Sequence, residues 1–146
     1  MKKITSFIGS LILLCVGISC SSDKDAELPL IYVEQARYSL ATGSLEIQAT
    51  AEQAPTQQVV VDIALAGTAQ EGIDFQIDQA AFVFEPGQTQ ASLKLERIPE
   101  HITEESKELI VNLRNEPAGY QLGLMNYTVV ELLGSQGIIM SFENRQ

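Results

Sequence analysis

Residues 44–51 read SLEIQATA, with Leu45, Ile47, Ala49 and Ala51 at alternate positions and Glu46, Gln48 and Thr50 between them. In an extended chain successive side chains point to opposite faces, so this pattern gives one face to a core and the other to water. ASLKLE at 91–96 repeats it with Ala91, Leu93 and Leu95 inward, and KELIVNL at 107–113 with Leu109, Val111 and Leu113 inward. Ile110 falls on the nominally wet face of that last run and predicts a partial cover there. Apolar residues nowhere persist at helical spacing, so the fold class expected is all-β.

Working outward, the alternation predicts strands near residues 30–34, 37–40, 44–51, 58–66, 80–85, 89–98, 107–113 and 126–133. This is the spacing of an antiparallel β-sandwich of about seven to eight strands. Glu85-Pro86-Gly87-Gln88 joins a proline that presets φ to a glycine that accepts a positive one, so a chain reversal between two antiparallel strands is expected there. The stretch Gly137 to Glu143, GIIMSFE, is apolar enough to predict a last strand or a segment packed along an edge. No internal repeat or low-complexity tract interrupts the chain, and one domain is expected over residues 28–146.

The beginning of the chain has a different character. Lys2 and Lys3 precede an apolar run from Ile8 to Val16, followed by the small residues Gly17 and Ser19. That is the order of a secretory signal, and the run is too short for the about 20 apolar residues of a membrane span. Gly17-Ile18-Ser19-Cys20 resembles the lipobox of bacterial lipoproteins, although Gly17 stands where that family usually has leucine or valine. The resemblance implies a signal peptide over 1–19 and lipidation of Cys20, the thiol receiving a diacylglyceryl group and the freed amine a further acyl chain. Residues 21–27, SSDKDAE, read as a polar tether. Asp23 and Asp25 resemble the surface-export signals of lipoproteins in the Bacteroidota. The location implied is the cell envelope, at the outer membrane, with the surface-facing and the periplasmic leaflet both open.

Cleavage before Cys20 removes Cys15, so the mature chain cannot form an internal disulfide, and its 127 residues are enough for a self-sufficient core. The lost segment holds Lys2 and Lys3 and no acid, so the formal charge of −10 becomes −12. Such a chain is a poor ligand for nucleic acid.

GTAQEGIDF at 67–75, FVFEPGQTQASLKLERI at 82–98 and TEESKELIVNL at 103–113 follow the order and spacing of the Calx-beta domain, and the resemblance extends over about residues 30–132. It implies an immunoglobulin-like sandwich, some members of which bind calcium at one end through clustered carboxylates. Asp74 matches the aspartate of the family's Gly-x-Asp-aromatic loop, and Glu104 the first acid of its Glu-x-x-Glu pattern. The family's paired aspartates fall on Pro99 and Glu100, its second glutamate on Lys107, and an early acid near Ala41 and Thr42. The aspartates expected after the last strand are missing, since Leu132, Leu133 and Gly134 follow Glu131. Asp74, Glu100 and Glu104 are therefore the candidate calcium ligands of an eroded site, and no other cofactor is implied. The alternative for Asp74 is a loop carboxylate accepting backbone N–H bonds beside Gly72, and for Glu104 and Glu105 a solvated turn.

Catalysis has little to rest on. His101 is the single histidine, on a turn after a proline, and no serine lies in a nucleophile-elbow context. The mature chain lacks the histidines and cysteines that zinc needs. The expectation is a non-catalytic, membrane-anchored envelope lipoprotein that binds a protein or a polysaccharide, as an interaction or adhesion module. Its rivals are a carbohydrate-binding accessory lipoprotein of a glycan-uptake system, which no tryptophan and four tyrosines support thinly, and a calcium-binding module.

Overall fold

The computed structural model describes residues 27–137. Ten strands follow in order: β1 Leu30–Val33, β2 Arg37–Leu40, β3 Ser44–Ala51, β4 Val59–Gly67, β5 Phe75–Ile77, β6 Ala81–Phe84, β7 Gln90–Arg97, β8 Lys107–Leu113, β9 Gln121–Leu122 and β10 Tyr127–Leu132. They form two five-stranded sheets, β5-β7-β3-β1-β9 and β2-β10-β8-β4-β6. Every pairing is antiparallel except β1 with β9 and β2 with β10.

The alternation read from the sequence sets the inward faces. Strand β7 alternates strictly, with Ala91, Leu93, Leu95 and Arg97 buried and the residues between them exposed. Strand β3 sends Ile47, Ala49 and Ala51 inward, and β8 sends Leu109, Val111 and Leu113, while Ile110 is half-covered as its apolar character predicted. Between the sheets lie Phe75, Phe82 and Phe84, all without solvent exposure, packed among Ile31, Ile47, Leu93, Leu95, Leu109 and Leu132. Large side chains from two opposed inner faces fill such a space because each sheet presents only every second residue to it.

Two expectations require correction. The Pro86-Gly87 turn forms, with Gly87 at φ 81 and the Gln88 N–H donating to the Glu85 carbonyl at 3.0 Å. It does not join hydrogen-bonded neighbours, however: β6 pairs with β4 in one sheet and β7 with β3 in the other, so the turn carries the chain across the sandwich. A turn type constrains the reversal and leaves the choice of partner to longer-range packing. Among the described residues the strand count also rises to ten, because β5 and β9, of three and two residues, are too short to register as periodic runs. The GIIMSFE tail lies outside the described residues apart from Gly137, which belongs to a helical turn over 135–137 rather than to a strand.

The first and last strands change sheets together. After Val33 the chain leaves the first sheet through residues 34–36 and enters the second as β2, where Val129 donates to the Ala36 carbonyl at 3.0 Å. Alongside it, residues 123–126 cross in the same direction, held by Gly123 N–H to the Ile31 carbonyl at 2.8 Å and Val33 N–H to the Met125 carbonyl at 2.9 Å. The sandwich thus has two poles. Leu30, residues 52–58, 85–89 and 114–120 gather at the N-terminal pole. Residues 41–43, 68–74, 98–106 and 133–137 gather at the far pole.

Candidate functional site

The far pole holds the residues that the sequence singled out. Asp74, directly before β5, is only 3% exposed. Its Oδ1 accepts from Lys107 Nζ at 2.7 Å and its Oδ2 from the Gln70 backbone N–H at 2.8 Å. The Asp74 backbone is equally committed: its N–H donates to the Gln70 carbonyl at 2.8 Å, and its carbonyl accepts from Ile98 at 3.0 Å. Gly72 makes the tight turn possible at φ 80, and its N–H donates to the Phe75 carbonyl at 2.8 Å.

Burial by itself would raise the Asp74 carboxyl. The hydrogen bonds from Lys107 and Gln70, with the charges of Lys107 and Arg97, outweigh it and hold the carboxyl below its ordinary value. Arg97 is itself 6% exposed and donates from Nη1 to the Leu40 carbonyl at 2.8 Å. Burial lowers its guanidinium from the ordinary value, and the Asp74 charge partly restores it. Both contacts run between sheets. Asp74 and Arg97 belong to the first, while Lys107 opens β8 and Leu40 closes β2 in the second.

Neither of the other candidate ligands joins this group through a hydrogen bond. Glu100 is exposed in a 3-10 turn over Pro99–His101, and His101 is exposed beside it. Glu104 is exposed in the loop before β8, on the rim of a shallow cleft with Thr68, Thr103 and Ser106. That loop is pinned from behind: Gly134 donates to Ser106 Oγ at 3.0 Å, and Ser135 to the Thr103 carbonyl at 2.9 Å. A Cβ on Gly134 would strike the Glu104 carbonyl, so only glycine permits the approach. Among the described residues no three or more His, Cys, Asp and Glu side chains are grouped to hold a metal ion. Cys20 lies outside the described residues.

Arg97 is the member of this site that motif reading passed over. The signal was present in the alternation, which continues from Ala91, Leu93 and Leu95 to place residue 97 on the inner face. A charge on a core face implies a buried partner, here a carbonyl and a carboxylate.

A second feature lies along the side where the outer strands change sheets. Leu124 is 100% exposed, and Met125, Tyr127 and Leu28 are exposed nearby along the chain segments flanking β9 and β1. Strand β9 is the free edge of the first sheet. At the N-terminal pole, Pro29, Gln53, Pro55, Val59, Pro117 and Tyr120 are among the residues that line an open cleft of about 440 Å³. Tyr120 is buried in its wall and donates its hydroxyl to the Gln53 carbonyl at 2.9 Å.

No family model matches the chain, and no curated protein matches it. Solved structures do. The apo-form Calx CBD1 domain is similar at 24% identity over 75% of this chain and 100% of that one, with a TM-score of 0.64. The calcium binding domain CBD12 of CALX1.1 is similar at 24% identity over 71% of this chain and 44% of that one, TM-score 0.61. A two-domain protein of unknown function from Bacteroides fragilis NCTC 9343 is similar at 8% identity over 76% of this chain and 47% of that one, TM-score 0.57. The fold is thus the immunoglobulin-like sandwich of the Calx-beta type.

Calcium needs about six to eight oxygen ligands. At the far pole the one buried carboxylate has both oxygens engaged, one of them by an ammonium, and a buried guanidinium stands behind it. These residues do not fit a dication.

Proposed function

We propose that this chain is a non-catalytic lipoprotein of the bacterial cell envelope, anchored through Cys20 to the outer membrane, whose sandwich is a protein-interaction module. The observation that carries the binding reading is Leu124, wholly exposed just after β9 at an edge of the first sheet, with Met125 and Tyr127 exposed further along the same segment. A wholly exposed leucine beside a sheet edge favours docking of a partner there, with the Leu122 N–H of that edge taken by Glu116 Oε1 at 3.3 Å in the free chain. The anchor reading is supported by the charged, apolar and small-residue order that ends at Cys20. Ser21 to Glu27, fully extended, spans about 25 Å at most, which keeps the N-terminal pole near the bilayer and turns the far pole away from it.

The carbohydrate reading gains less. Of the four tyrosines, Tyr120 is buried, Tyr32 and Tyr38 are half-buried, and Tyr127 is exposed, so the described residues offer no aromatic platform.

Two measurements test the proposal. Fractionation of cells making the Cys20→Ser chain should find it released from the membrane or retained at precursor length; a chain of mature length that still fractionates with the membrane removes the anchor. A photo-crosslinking residue at position 124 should yield a discrete protein adduct in intact envelopes, while the same residue at position 42 on the far pole should not. No adduct at 124, or equal adducts at both, removes the interaction surface.

A further inference from the structure

We infer that Lys107 occupies, with its own ammonium, the role a divalent cation would have at the far pole, so that the two sheets are clamped there without any dissolved metal. Asp74 precedes β5 in the first sheet and Lys107 begins β8 in the second, so their 2.7 Å contact bridges the gap between layers. Arg97 makes a parallel bridge to the Leu40 carbonyl at 2.8 Å. Together they close the end of the sandwich at which residues 68–74 and 98–106 converge.

Charge explains why no ion is required. The buried carboxylate faces an ammonium at hydrogen-bond distance and a guanidinium on the neighbouring strand, so these three side chains sum to one positive charge, while Glu71, Glu100, Glu104 and Glu105 on the surrounding loops are exposed to solvent. A dication placed there would meet repulsion and find a single carboxylate whose oxygens are taken. The surrounding loops are assembled by other means as well. Gln70 holds Asp74 from behind, Gly134 and Ser135 hold residues 103–106, and Thr68 and Ala69 both donate to the Glu108 carbonyl at 2.8 and 3.0 Å. Each of these bonds is complete with protein groups alone. The cation of the clamp belongs to the chain, so its strength is independent of calcium concentration and responds to pH, ionic strength and substitution.

The test uses the full-length protein in detergent. Thermal unfolding in millimolar calcium and in excess chelator should give the same midpoint, and calorimetric titration with calcium should give no saturable heat. A midpoint raised by calcium, or a binding isotherm, overturns the inference. Lys107→Met should lower the midpoint by about 10 °C for a domain of this size, equally in calcium and chelator. Lys107→Arg, which keeps the charge, should recover most of that loss. A Lys107→Met protein as stable as the parent would show that the ammonium does not hold the pole together, and would overturn the inference even if calcium had no effect. If Lys107→Met fails to fold, Lys107→Arg and the parent calcium titration still decide it.

Discussion

Replacing Asp74 by asparagine isolates the contribution of one negative charge, since the side chain keeps its shape and retains an acceptor for the Gln70 N–H at 2.8 Å. What is lost is the countercharge to Lys107 and to buried Arg97. Truncating one member of a buried pair typically costs about 3–5 kcal/mol. The Lys107 side chain is 30% exposed and can turn toward water, which argues for less. Weakening the Gln70 bond from charge-assisted to neutral adds roughly 1 kcal/mol. We expect a net loss of about 2–3 kcal/mol at neutral pH, a large share of the about 5–15 kcal/mol that holds a domain folded. Urea unfolding with unchanged slope should report it as a lower midpoint.

The same substitution should change the response to acid. The folded Asp74 carboxyl lies below its ordinary value, so between the two values the folded state binds fewer protons than the unfolded state. Its contribution is therefore complete above the unfolded value and is lost as pH falls through the folded one. The parent and Asp74→Asn proteins should converge in stability on acidification. A difference under about 0.5 kcal/mol at neutral pH, within the usual range of surface substitutions, would refute the reasoning. So would a difference that persists undiminished into strong acid.

Other residues give independent checks. Thr128 is fully buried and its Oγ1 has no hydrogen-bond partner among the described residues, so Thr128→Val should raise the unfolding free energy by about 1 kcal/mol; a loss of stability would mean the hydroxyl is satisfied. Gly67 has φ 106, and a Cβ there would collide with the Glu108 carbonyl, so Gly67→Ala should cost at least about 2 kcal/mol by denaturant titration. Leu93→Ala, in the middle of the core, should cost about 2–5 kcal/mol, and a smaller effect would indicate that the sandwich collapses around the gap. Leu124→Asp, on a wholly exposed side chain, should leave stability within about 0.5 kcal/mol while abolishing any adduct formed through that side.

The membrane-facing and partner-facing roles proposed for this chain divide along its poles. Leu28 precedes β1 at the N-terminal pole, and Leu124, Met125 and Tyr127 are exposed between the end of β9 and the start of β10. The far pole carries the clamp. On the outer face of the second sheet, Arg37 pairs with Glu108 at 3.1 Å and Glu131 at 3.5 Å across three strands. Those groups are largely solvated, and the pairs add little to stability.

The all-β class, the eight longer strands and the inward faces of β3, β7 and β8 were legible because period-2 alternation is a local property, written residue by residue along each strand. Asp74 was legible as a site residue through its glycine-bounded loop, and Lys107 as a cation standing at a ligand position. Alternation says which way a side chain points and nothing about which strand lies beside it. Only tertiary structure decided that Pro86-Gly87 links opposite sheets, that two- and three-residue strands complete the edges, and that the first and last strands exchange sheets side by side. It also decided that Arg97, predictable as inward, meets the Leu40 carbonyl 57 residues away, and that Lys107 reaches Asp74 across 33. Those pairings are set by closing long loops around a shared core, a free-energy balance over the whole chain that no single segment contains.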